Sequence, residues 1–248
     1  MMKILKNTIP QCRKIVSLRK NPMCGRYSFA ALAEEVENRF HIKIDGSTWK
    51  VRYNCAPTQE LAVITNEEPE KISYQRWGLI PSWAKDAAIG NKLINARSES
   101  AAEKPAFKNS ISSRRCLVLS NGFYEWKKVG KTKIPMFITL KEHPLFAMAG
   151  IWDRWSASGD INIETFSILT MQPNEIMSTI HNRMPVILSP SIERKWLETS
   201  DPEMQKKLFI APDSSAMQMH QVSTLVNSPA TDHPDLIRPV GGEQASLF

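Results

Sequence analysis

The chain contains no run of about 18 uncharged apolar residues, which excludes a membrane-spanning helix. Its four cysteines, Cys12, Cys24, Cys55 and Cys116, make no CxxC pair. That argues against a disulfide scaffold or a zinc ribbon and suits a reducing compartment. Ten glycines against sixteen prolines point to many rigid turns rather than floppy linkers. There is no internal repeat, no nucleotide-binding glycine loop and no metal-ligand cluster, so no cofactor is expected. Residues 1–22 contain no acid at all, while holding Lys3, Lys6, Arg13, Lys14, Arg19 and Lys20.

What remains is an ordinary globular composition of 248 residues, 42% hydrophobic and 23% charged, with enough apolar side chain for a real core. The formal charge of +7 belongs to the basic leader. With its six cations set aside, the 32 basic residues fall to 26 against 25 acids, so the body stands at +1. The body is therefore expected to bind a polyanion only through a local basic patch. Charges at 13, 14, 19 and 20 interrupt any apolar segment of a secretory signal, and no small-residue cleavage site follows. The leader reads as an upstream start codon with Met23 the true initiator, as a propeptide removed on maturation, or as a mimic of an organelle transit peptide.

No linker divides the body, so a single domain is expected over 23–230, with a tail over 231–248. Helical spacing places Leu32, Val36 and Phe40 on one face of a helix over Ala30–Phe40. Tyr53–Gln59 reads as a polar turn, Asn95–Glu99 as a short helix, and Gly78–Lys92 as a loop. Strands are expected at Leu61–Thr65, Lys71–Trp77, Cys116–Trp126, Ile134–Leu140, Leu145–Trp152 and Ile163–Thr170. Pro173–Ile180 reads as a short helix delivering His181, and Ser191–Glu198 and Pro202–Ile210 as two surface helices, the first capped by Ser191. Val222–Val226 is a candidate to close the sheet. Many short strands and few helices predict an α+β domain with an antiparallel, barrel-like core.

Three residue types carry candidate chemistry. Glu125 follows an apolar strand and stands between Tyr124 and Trp126, where partial desolvation would suit proton transfer; the alternative is an ion pair at a strand end. His181 lies between a helix end and the HNRMP turn. Cys24 becomes reactive only if the chain starts there. A free α-amine beside a thiol has a useful neutral fraction near neutrality and condenses with an aldehyde. The thiol then closes on the imine carbon to give a thiazolidine. An internal Cys has only an amide nitrogen, which is not nucleophilic.

Cys24-Gly25-Arg26-Tyr27, the APTQ stretch, Trp77–Trp83 (WGLIPSW), NARSE, GFYEW, AGIW and HNRMP together resemble the SRAP family, the SOS response-associated peptidases or abasic-site processing proteins. The resemblance spans Met23 to about Val226. It implies a protein that cross-links to abasic sites in single-stranded DNA, with Cys24 as nucleophile. It further implies that Asn95 holds the opened sugar and the amine, that Glu125 shuttles protons, and that His181 assists ring opening and protonates oxygen. A weak lyase activity and self-cleavage of the leader by the same residues are implied as well. For DNA contact, Arg26 and Arg97 match family arginines, and Asn54 and Pro57 lie on a loop expected near the displaced base. Arg114 and Arg115 are added on charge alone. Trp77 and Trp83 offer stacking surfaces, with core packing the open alternative for Trp77.

Gln244-Ala245-Ser246-Leu247-Phe248 resembles a bacterial sliding-clamp peptide, so Gln244, Leu247 and Phe248 are candidate clamp contacts, the alternative being a frayed end. A monomer in the bacterial cytoplasm, associated with the nucleoid, is expected. Two other readings stay open: a cysteine peptidase acting on other proteins through Cys24 and His181, and a non-covalent single-strand binding module.

Overall fold

The structure is a computed structural model describing residues 25–44, 49–156 and 162–241. The leader, Cys24 and the clamp-like peptide of Gln244, Leu247 and Phe248 lie outside the described residues. In chain order the first elements are β1 (Tyr27–Phe29), α1 (Ala33–Phe40), β2 (Arg52–Cys55), β3 (Glu60–Thr65), β4 (Ser73–Trp77) and β5 (Asn95–Arg97). Next come α2 (Lys108–Ser113), β6 (Arg115–Ser120), β7 (Gly122–Val129), β8 (Thr132–Leu140), β9 (Phe146–Ser156) and β10 (Asn162–Met171). The last are α3 (Glu175–Ser178), β11 (Met184–Pro185), β12 (Ile187–Leu188), α4 (Pro190–Glu198), α5 (Pro202–Leu208) and β13 (Met217–Gln221). None of these helices is long and apolar enough to cross a membrane.

Strands β3, β4, β10, β9 and β6 pair in a ring and close a barrel, the α+β architecture expected from the sequence. Four of the seams are antiparallel. The fifth, β4 with β10, is parallel, with Thr165 beside Arg76 and Phe166 beside Trp77. Five strands closed on themselves cannot alternate direction all the way round, so one parallel seam is unavoidable. β6 (RCLVLS) is buried at every residue, because the barrel interior takes one face and packed structure covers the other.

The second sheet has the order β13-β8-β7-β1-β2, all antiparallel. It is locked to the barrel by aromatic rings. Tyr27 of β1 meets Trp77 edge-on at 5.2 Å, and Trp77 stacks on Phe166 of β10 at 6.2 Å. Two glycines make this packing possible. Gly78 takes φ +123°, and a Cβ there would stand 2.6 Å from the Gly90 carbonyl oxygen. A Cβ on Gly122 would lie 2.2 Å from the Phe137 ring.

The structure corrects several local expectations. Asn95–Arg97 is a strand, not a helix; it adds to β10 in parallel, with Ile168 beside Asn95 and Thr170 beside Arg97. The strand that closes the second sheet is β13, while 224–227 is a single 3-10 turn. α1 starts at Ala33, where Glu35 Oε2 accepts the Leu32 N–H at 2.7 Å. α4 starts earlier than expected, with Ser189 in the cap position. It is not merely a surface helix: Trp196 is buried and its Nε1 donates to the Cys116 carbonyl at 3.0 Å.

Candidate active site

Strand pairing brings the motif residues towards one region. β1 and β7 run Ser28 beside Gly122 and Tyr27 beside Phe123, and the Tyr124 N–H donates to the Arg26 carbonyl at 3.0 Å. Extending that register by two residues sets Gly25 abreast of Glu125. Glu125 is 4% exposed, with Met136 of β8 on its other side. The start of β1 is tied to the start of β5 through one side chain. Trp77 receives the Tyr27 ring and donates from Nε1 to the Ile94 carbonyl at 2.9 Å, one residue before Asn95.

The end of β10 gathers the rest. β5 lies along one edge, and β11 joins it at Thr170–Pro185 and Met171–Met184. Between them stands an ion pair. Arg183 Nη1 and Nη2 donate to the two carboxylate oxygens of Glu99 at 2.5 and 2.6 Å, and Nη2 also donates to the Thr170 carbonyl. The Arg183 side chain is buried while that of Glu99 is 47% exposed. The Arg183 hydrogen bond holds the Glu99 carboxyl below its ordinary range despite partial burial. This clamp fastens the HNRMP turn to the NARSE strand. The Arg183 N–H donates to His181 Nδ1 at 3.1 Å. A neutral His181 therefore carries its proton on Nε2, as a donor.

A second network holds the start of β1 from the other side. Arg26 Nη1 donates to Asn54 Oδ1 at 2.7 Å and to the Val226 carbonyl at 2.6 Å, while its Nε is buried without a partner. Burial lowers the Arg26 pKa from its ordinary value. Asn54 Nδ2 donates to the Ser228 and Thr231 carbonyls, and Asp232 Oδ1 accepts the Tyr53 and Asn54 N–H groups.

The sequence profile of the SOS response associated peptidase (SRAP) family matches residues 23–229. The chain belongs to the SRAP family. It is 42% identical over 221 residues to the abasic site processing protein YoqW of Bacillus subtilis, covering 87% of this chain and 99% of that one. It is 35% identical over 190 residues to the abasic site processing protein HMCES of Gallus gallus, covering 66% and 56%. A crystal structure of a protein from Bacteroides thetaiotaomicron superposes with a TM-score of 0.80 at 31% identity, covering 88% of this chain and all of that one.

Within this SRAP domain the expected DNA contacts divide. Trp83 is 56% exposed, with Nε1 3.4 Å from the Pro105 carbonyl. Arg97 is exposed and forms no ion pair among the described residues, and Pro57 is half-buried. Arg114 is committed to Asp153 at 2.9 Å. Asp153 also accepts the Ser82 N–H, so the pair fastens the loop that carries Trp83.

Three residues are corrected. Trp77 is fully buried and is a core spacer, not a stacking platform. Asn54 is likewise enclosed and spends its amide on Arg26 and the 226–231 carbonyls. Arg115 donates to the Trp196 and Leu197 carbonyls at the end of α4 and to the Ser112 carbonyl of α2. It satisfies helix termini rather than phosphates.

Two residues were missed. Glu99 lies inside NARSE, and an acid in one motif facing an arginine in another was its available signal. Thr58, in the APTQ loop, has φ +74°, a strained conformation for a β-branched residue that no sequence pattern announces.

Proposed function

We propose that this chain processes abasic sites in single-stranded DNA by forming a covalent thiazolidine through Cys24. The observation that carries the reading is the entry of the chain into β1 at Gly25, abreast of the buried Glu125. The names of the family relatives supply the substrate class.

An abasic deoxyribose opens to an aldehyde. The Cys24 α-amine adds to its carbonyl carbon and water leaves, giving an imine. The thiol sulfur then adds to the imine carbon, and its proton passes to nitrogen. Glu125, held in a desolvated position, relays these protons. His181 donates from Nε2 to the sugar ring oxygen as the ring opens. Asn95 holds the opened sugar through its amide. The exposed Arg97, and Arg26 at the entry to β1, take flanking phosphates. The imine also permits β-elimination of the 3′ phosphate, which is the weak lyase activity.

Removal of residues 1–23 is a precondition, whether by self-cleavage or by starting at Met23 and losing that residue. The Gln244, Leu247 and Phe248 peptide would tether this monomeric domain to a sliding clamp at the replicating nucleoid.

The test incubates the Cys24-first protein with single-stranded DNA carrying one abasic site and resolves it on a denaturing gel. A shifted band is expected; it disappears in Cys24→Ala and with a blocked amine, and forms more slowly in Glu125→Gln. Cleavage of an unrelated peptide without a shifted band points instead to a peptidase acting on other proteins. A shift on native gels alone refutes the covalent step.

A further inference from the structure

The β7–β8 hairpin carries a charge pattern that the chemistry at Glu125 does not use. Lys127, Lys128, Lys131 and Lys133 fall within seven residues, and no acid occurs anywhere in 126–141. All seven residues of 127–133 are exposed, so this end of the hairpin projects from the body. Lys127, Lys128 and Lys131 form no ion pair among the described residues.

The register sharpens the point. Lys128 stands directly across the ladder from Lys133, and Val129 from Thr132, around a two-residue turn in which Gly130 takes φ +61°. The pairing gathers Lys128 and Lys131 on one solvent-exposed tip, with Lys127 beside them.

The base of the same hairpin is Glu125, so the lysines sit at fixed spacings from the site. At about 3.4 Å per residue, Lys128 lies about 10 Å from Glu125 along the strand and the turn about 17 Å. At about 3.4 Å per nucleotide of stacked strand, that corresponds to roughly three to five phosphate spacings.

We infer that the exposed end of the β7–β8 hairpin, through Lys127, Lys128 and Lys131, binds the phosphate backbone of DNA flanking the lesion. This rests on the abasic-site reading for its choice of partner, but its readout does not. It also explains how a body of net charge +1 holds a polyanion: the positive charge is concentrated on an arm next to the site.

The test measures equilibrium binding of the full chain to single-stranded oligonucleotides bearing a tetrahydrofuran residue, which mimics the abasic sugar but has no aldehyde. A Lys127→Ser/Lys128→Ser/Lys131→Ser variant is compared with wild type across salt concentrations. With about 0.7 counterions released per single-strand contact, three lost contacts make the log–log salt slope shallower by about 2 and weaken binding about 100-fold near 0.1 M salt. Arginine at all three positions restores both. Shortening the oligonucleotide to the lesion and its immediate neighbours abolishes the difference between wild type and variant. An unchanged slope overturns the inference, and so does an equal loss on the shortest oligonucleotide. If wild type fails to prefer the tetrahydrofuran strand over an intact one, the abasic-site reading fails while the salt slope still judges the hairpin.

Discussion

Replacing Glu99 with Gln removes one charge from the clamp that joins the NARSE strand to the HNRMP turn, at nearly constant shape. The guanidinium of Arg183 stays buried, with the Thr170 carbonyl as its remaining full acceptor. Two charge-assisted hydrogen bonds of 2.5 and 2.6 Å are lost or weakened. Such bonds contribute about 1.5–3 kcal/mol when buried. The Glu99 side chain is 47% exposed, and solvent screening reduces the expected loss to about 1–2 kcal/mol.

The pH dependence has a definite sign. The Arg183 hydrogen bond lowers the folded-state pKa of Glu99. Its contribution is therefore complete above the unfolded value of about 4.3 and disappears as pH falls through the folded value. Urea unfolding followed by tryptophan fluorescence should show Glu99→Gln less stable at about pH 7, with the gap to wild type closing as the medium is taken to about pH 3. Equal stability at neutrality refutes the clamp. A gap that persists undiminished in acid refutes its electrostatic origin.

Gly122→Ala drives a methyl group into the Phe137 ring, where the Cβ would stand 2.2 Å away. Overpacking of this kind costs about 1–3 kcal/mol, read as a lowered melting temperature; a wild-type melt refutes the close approach. Trp83→Ala leaves the melt unchanged within about 0.5 kcal/mol, because the ring is largely exposed. It weakens single-strand binding by about 1–3 kcal/mol in a filter or anisotropy assay, and unchanged affinity removes Trp83 from the interface.

The sequence announced the strands that end up doubly covered. β6 and β9 carry continuous apolar runs, and such runs are what a closed barrel with packed faces requires. It failed where pairing is decided at long range. Asn95–Arg97 has no strand pattern of its own and is extended only because β10 offers an edge. β13 (MQMHQ) lacks β-branched residues, and its partner β8 sets its conformation. Charge and aromaticity also misled, because neither reports burial. Arg115 and Arg114 are adjacent, yet one caps helix ends and the other holds Asp153. Motif order put forward Asn95, Glu125 and His181 as candidates, while the Arg183–Glu99 pair that joins the NARSE strand to the HNRMP turn needed three dimensions.

The parallel seam between β4 and β10 also shapes the order in which the molecule can assemble. Strands β3, β4 and β6 leave the ribosome well before β10 is synthesised, and until then their edges have nothing to close upon. Contacts this distant in sequence form slowly, since the chain must first be looped. The turn that carries His181 and the β11 strand that follows are later still. The His181 turn therefore takes its place only once β10 has closed the barrel, so the candidate site is completed after the strands that carry Asn95 and Glu125 are already made.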